Sequence, residues 1–161
     1  RLEGLLLIDN GGWAMDPYVA TVQELFDYAR AQFKRLRIGY FHNTVYGRVF
    51  EDPQRWRKPL ATEDLARLER ETRLIMVGDA SMAGWELNGL HGSIRYEERS
   101  GIPSIRRLRF LADTFPHAVW LNPVPADHWP YTPTIGQIGA VFPMFELTLD
   151  GLEQAVGRLV G

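Results

Sequence analysis

The chain has 161 residues, 45% of them apolar, 24% charged and 12% aromatic, which is the composition of one globular domain rather than two. It has no cysteine, which excludes thiol nucleophiles, cysteine-ligated zinc, iron–sulfur clusters and disulfide frameworks. Eighteen Lys+Arg against twenty Asp+Glu give a formal net charge of −2, so there is no overall positive field to hold nucleic acid or an anionic membrane.

Leu5-Leu6-Leu7-Ile8 is a continuous apolar run ending in Asp9-Asn10-Gly11-Gly12, the pattern of a strand buried on both faces and stopped by a tight loop. Asp16-Pro17 then offers an N-cap and a first-turn proline, and apolar residues from Val19 to Phe33 follow at helical spacing. Arg37 to Phe41 reads as a second strand. Tyr46 to Phe50, beyond a turn at His42-Asn43-Thr44, reads as its hairpin partner, closed by Asp52-Pro53. Thr62 caps a predicted helix reaching about Thr72, with Glu63 and Asp64 in its first turn. Leu74 to Asp79 repeats the grammar of the first strand. Ile105 to Phe115 reads as a helix, Ala118 to Leu121 as a strand, Pro123 to Pro133 as a proline-rich loop, and Thr134 to Phe142 as containing a short helix. Phe145 to Leu147 is a further strand, and Leu149, Leu152, Ala155, Val156 and Leu159 stripe a closing helix.

Alternating strands and helices with short connections predict an α/β fold, a mostly parallel sheet with helices on both faces. No apolar run approaches the roughly 20 residues that span a bilayer. The expectation is therefore a soluble, cytoplasmic chain that binds neither membrane nor nucleic acid. Because it opens at Arg1 without an initiator methionine, it reads as a single domain over residues 1–161, cut from the C-terminal part of a longer protein.

Several chemistries are missing. The first loop lacks the Gly-x-Gly-x-x-Gly order of dinucleotide binding, there is no Walker loop, and Gly78-Asp79-Ala80-Ser81-Met82 is no nucleophile elbow. His42, His91, His117 and His128 are scattered singly. What remains is Asp9 and Asp79, each at the carboxyl end of a strand predicted to be central, where open α/β sheets gather ligands. Two neighbouring carboxylates repel, and a hard cation such as Mg²⁺ is a natural partner, with Thr62 able to add a hydroxyl. Equally, an aspartate after a buried strand is a common turn or cap residue.

The segments Asp9 to Pro17, Val77 to Met82, Val119-Trp120-Leu121-Asn122-Pro123 and Leu147 to Leu152 resemble a von Willebrand factor A-like (vWA-like) domain of the CoxE-like family over nearly the whole chain. The resemblance implies a doubly wound, Rossmann-like, three-layer fold with six strands in the order 3-2-1-4-5-6, strand 3 being an antiparallel edge. It also implies a metal-ion-dependent adhesion site (MIDAS), with Asp-x-Ser-x-Ser after strand 1, a Thr before a middle helix and an Asp after strand 4. Asp9, Thr62 and Asp79 match the first Asp, the Thr and the last Asp. Both serines are absent: their places fall on Gly11 or Gly12 and on Ala14, with Trp13 inserted. A degenerate site follows, holding Mg²⁺ weakly or not at all.

Among the tryptophans, Trp120 reads as core, whereas Trp13 and Trp129 fall in loops at the carboxyl end of the sheet. Arg99, Arg106, Arg107 and Arg109 read as a solvated helix face. The functional expectation is a non-catalytic protein–protein interaction module, not an enzyme, that meets its partner through Gly11, Gly12, Trp13 and Trp129. By resemblance that partner is a MoxR-type AAA+ ATPase, and the work is protein assembly or maturation. The alternative is a metal-dependent hydrolase or phosphoryl-transfer enzyme using Asp9 and Asp79.

Overall fold

The computed structural model describes residues 2–11, 13–90, 92 and 101–160, with residues 13 and 14 described in their backbone only. The strands are β1 (Leu2–Asp9), β2 (Phe33–Phe41), β3 (Arg48–Phe50), β4 (Pro59–Ala61), β5 (Arg73–Val77), β6 (Ala118–Asn122) and β7 (Met144–Glu146). The helices are α1 (Val19–Gln32), α2 (Thr62–Leu65), α3 (Gly84–Asn88), α4 (Ser104–Thr114), α5 (Pro133–Gly139) and α6 (Leu149–Val160). Short 3-10 helices cover Trp13–Tyr18 and Ala126–Tyr131. No helix among the described residues is long and apolar enough to cross a membrane.

The fold is α/β, and the described residues form one sheet of seven strands in the order β4-β3-β2-β1-β5-β6-β7. Strands β2, β1, β5, β6 and β7 are mutually parallel; β3 runs antiparallel to β2, and β4 antiparallel to β3. The expectation of six strands with the third at the edge is corrected by β4, which lies outside β3 with Val49 opposite Leu60 and Phe50 opposite Pro59. A strand opening on proline has one N–H fewer to offer a neighbour, which suits it to the edge.

Several boundaries also differ from expectation. Asp16 and Pro17, read as the cap and first turn of the helix, lie within the 3-10 helix Trp13–Tyr18, and α1 starts only at Val19. Thr62, read as a cap, is the first residue of α2, and Ala61 precedes it with no side-chain capping bond. Phe33 opens β2 instead of closing α1: its backbone is extended although its N–H still donates to Ala29 O. The helix expected to run to about Thr72 stops after Leu65 and continues only as tight turns, Ala66 N–H to Glu63 O and Leu68 N–H to Leu65 O. Beyond Leu65, only Leu68 and Thr72 turn inward before β5, and without an apolar face to dock, a helix this short does not propagate. Within the expected proline loop, Ala126–Tyr131 forms a 3-10 helix.

The continuous apolar character of β1 comes from burial on both sides. Leu5 and Leu7 join Met76 and Trp120 against Leu108 and Leu111 of α4 and Ile135 and Ile138 of α5. Leu6 and Ile8 join Ile75, Val77 and Leu121 against Leu25 and Ala29 of α1 and Leu152 and Ala155 of α6. Neighbouring parallel strands that end in register, Ile8 opposite Val77, deliver the residues following them to the same end of the sheet. That register places Asp9 and Asp79 together.

Candidate functional site

Asp9 ends β1 and is only 2% exposed; Asp79 follows β5 and is half-buried. Each carboxylate folds its own loop. Asp9 Oδ1 accepts the Gly11 N–H at 3.1 Å, and Asp79 Oδ1 accepts the Ser81 N–H at 3.1 Å, the two-residue reach typical of aspartate turns. Asp9 also receives the backbone N–H of Asn43. Burial, and next the charge of Asp79, push the Asp9 carboxyl up to about 7, against the opposing pull of the Gly11 and Asn43 N–H groups and the Arg55 guanidinium. Burial also raises Asp79, partly offset by the Ser81 N–H.

Gly11 is buried against His42, and a β-carbon built on it would lie 2.2 Å from the imidazole Cδ2. A serine there would need His42 to move. Thr62, the first residue of α2, is fully buried, but its hydroxyl donates to Gly47 O at 3.3 Å and accepts from Arg107 Nη1 at 3.3 Å. Arg107 also pairs with Glu63, so this arginine is turned inward while Arg106 and Arg109 stay exposed. Gly12, Arg99 and His91 lie outside the described residues, as do the side chains of Trp13 and Ala14.

A resident divalent cation fits these donors poorly. The Asp9 carboxylate is taken up by backbone N–H groups, and a guanidinium already stands on the Thr62 oxygen, where a second cation would be repelled. No group of three His, Asp or Glu side chains with metal-holding geometry occurs among the described residues.

The loop carrying Asp79 is held from beneath. Trp120 Nε1 donates to Gly78 O at 2.8 Å, Asn122 Nδ2 to Asp79 O at 2.9 Å and Thr134 Oγ1 to Ala80 O at 2.8 Å, while the Met82 N–H donates to Thr134 Oγ1 at 3.2 Å. These bonds fix Ala80 in a left-handed conformation, φ 57°, which costs a non-glycine residue about 1 kcal/mol. Thr134→Val keeps the shape of the side chain but leaves Ala80 O and the Met82 N–H without their partner. It should cost about 1–3 kcal/mol and speed amide hydrogen exchange at Met82; unchanged exchange there would show that the threonine does not hold the loop.

Sequence reasoning did not find Asn43 or Glu86. Asn43 takes a left-handed φ of 64°, gives its backbone N–H to Asp9 and its side-chain amide to Glu86 Oε1 at 3.2 Å. Glu86, 3% exposed on α3, also receives the Tyr46 hydroxyl. The His42-Asn43-Thr44 turn was the only signal in the sequence, and nothing pointed to Glu86. Trp129, expected at a partner contact, is half-buried against the core and donates its indole N–H to Val124 O at 2.7 Å, stapling the proline-rich loop.

A cavity of about 150 Å³ opens beside Asp9, lined chiefly by Ile8, Met15, Val22, Phe26 and Tyr40. A cleft of about 960 Å³ lies elsewhere, around Glu3, Arg35, Arg37 and Arg67, and includes neither aspartate. No family model, no curated protein and no solved structure matches the chain.

Proposed function

We propose that this protein is a non-catalytic protein-binding module, a vWA-like domain of the CoxE-like type with a degenerate MIDAS, working with a MoxR-type AAA+ ATPase in the assembly or maturation of other proteins. The observation that carries this reading is that Asp9, Asp79 and Thr62 are already engaged within the protein, by the N–H groups of Gly11 and Ser81 and by Arg107. They organise loops at the carboxyl end of the sheet instead of presenting an open coordination shell. The fold is compatible, since without the edge strand β4 the remaining order is β3-β2-β1-β5-β6-β7. Hydrolysis or phosphoryl transfer on the two aspartates gains no support. Asp9 is almost wholly buried, and the cavity it borders, about 150 Å³, is smaller than the roughly 300 Å³ at which ligand pockets begin.

Thermal unfolding with and without millimolar Mg²⁺ or Mn²⁺, on the native chain and on Asp79→Ala, tests the degenerate site. The expected shift is far below the about 2.7 kcal/mol of a site filled at a hundred times its dissociation constant. A shift of that size, abolished by Asp79→Ala, would overturn it. Capture of a purified MoxR-type ATPase should be equally strong in Mg²⁺ and in EDTA; no capture in either removes that partner from the reading.

A further inference from the structure

The connection between β3 and β4, residues 51–58, is a hydrogen-bonded turn that leaves a tryptophan in solvent. Asp52 folds it: its carboxylate accepts the backbone N–H of Trp56 at 3.0 Å and of Arg57 at 2.9 Å. The Arg55 N–H donates to Asp52 O at 3.1 Å, and the Glu51 N–H to Lys58 O at 3.2 Å. Arg55 and Lys58 take left-handed φ values of 60° and 50°. Asn10, at the end of β1, donates its side-chain amide to Pro53 O at 2.7 Å, which ties the turn to the loop that follows Asp9. Trp56 is nevertheless 79% exposed, and the side chains of Arg57 and Lys58 beside it are exposed as well.

An indole held in solvent by a turn that is already ordered loses little conformational freedom on binding, and tryptophan and arginine are the residues that most often dominate interface energies. Within residues 51–58, Arg55, Arg57 and Lys58 outnumber Glu51 and Asp52, and the Asp52 carboxylate is turned onto backbone N–H groups, so the two side chains that follow Trp56 in the turn are cationic and exposed. We propose that this turn is the docking tip of the module, and that its occupant is an acidic, apolar segment of a partner protein. An aromatic or aliphatic side chain of that segment packs on the Trp56 ring while its carboxylates pair with Arg57 and Lys58. This rests on the reading of the protein as a protein-binding module. The charge pattern favours a peptide over the polyanions: two flanking cations on a chain of net charge −2 neutralise too few phosphates for nucleic acid, and a single aromatic tip falls short of the two signals a stable membrane anchor needs.

The test is selection from a random peptide library on the immobilised full chain, followed by affinity measurement of the selected peptides. Acidic peptides carrying an aromatic or large aliphatic residue should emerge. Trp56→Ala should weaken them roughly thirtyfold with no change in thermal midpoint, Trp56→Phe should restore part of the loss, and Arg57→Glu should weaken them further as salt is lowered. Peptides that bind Trp56→Ala as well as the native chain would overturn the docking tip while leaving the module reading intact. Failure to enrich any peptide would overturn both. Binding to phosphatidylserine vesicles or to oligothymidylate that is lost in Trp56→Ala would overturn the peptide as occupant.

Discussion

Replacing Asp9 with asparagine should stabilise the protein at neutral and alkaline pH and remove the part of its pH dependence that Asp9 contributes. In the folded chain, burial and then Asp79 raise the Asp9 carboxyl from 3.8 to about 7. The native state therefore holds a proton that the unfolded chain has already released. Stability is greatest below the unfolded value and falls as pH rises, until it levels off above about 7, a total loss of at most about 4 kcal/mol. Asparagine is neutral throughout and can still accept the Gly11 N–H. The second carboxylate oxygen, however, is replaced by an amide that cannot also serve the Asn43 N–H, which returns about 1–2 kcal/mol. The expected net gain is about 2 kcal/mol near pH 8, turning into a loss of about 1–2 kcal/mol near pH 4, where the folded Asp9 is already uncharged and only the missing hydrogen bond counts. A shallower slope from Asp79, also raised by burial, remains. Urea unfolding in EDTA across this range measures the effect. A stability difference between the native chain and Asp9→Asn that stays constant between about pH 4 and about pH 8 would show that Asp9 is not held protonated, and that a counter-charge stronger than Arg55 faces it.

The same burial explains why part of this site was legible in the sequence and part was not. Strands β1 and β5 announce themselves because a strand covered on both faces is apolar at every position, so its end is marked by the first polar residue, and in both cases that region holds an aspartate. Trp120, Asn122 and Pro123 were likewise readable, and their roles are now visible: the indole and the amide of the first two hold Gly78 O and Asp79 O. By contrast, β4 is three residues long and opens on proline. Its pairing with β3 comes from a turn organised by Asp52, a bond pattern with no periodicity to detect. Asn43, Glu86 and Thr134 come from a turn, a five-residue helix and a seven-residue helix, and only the folded chain brings them to Asp9 and Asp79. Thr62 shows the opposite failure: a plausible ligand by position, it is claimed by Arg107, which the helix pattern of α4 assigned to solvent. Trp56 was invisible for a related reason, since an aromatic in a loop rich in proline and arginine gives no indication of which way its ring faces.

Trp120 should be the side chain whose truncation damages the molecule most. It is fully buried between the ring of Phe41, edge-on at 6.4 Å, and that of Phe142 at 5.7 Å, and it links the packing of α4 and α5 to the loop that carries Asp79. A β-carbon on Gly78 would stand 3.4 Å from Trp120 Cζ2 and 3.1 Å from Asp9 Cβ, so the indole and the Asp9 side chain close on the same glycine. Trp120→Ala removes this packing and opens a cavity that its aromatic neighbours cannot fill, a loss of about 3–5 kcal/mol. For a chain of this length that lowers the thermal midpoint by about 6–20 °C. Trp120→Phe separates the two contributions: it keeps much of the volume but leaves Gly78 O without its donor, for about 1–3 kcal/mol, and the damage should concentrate at Gly78 and Asp79 in hydrogen exchange. If Trp120→Phe were as destabilising as Trp120→Ala, the hydrogen bond to Gly78 O would outweigh ring volume; if Trp120→Phe cost nothing measurable, the Asp79 loop would be held by Asn122 and Thr134 alone. If Trp120→Ala cost less than about 1 kcal/mol, the typical loss for an ordinary substitution, this indole would not be the keystone between the sheet and its loop.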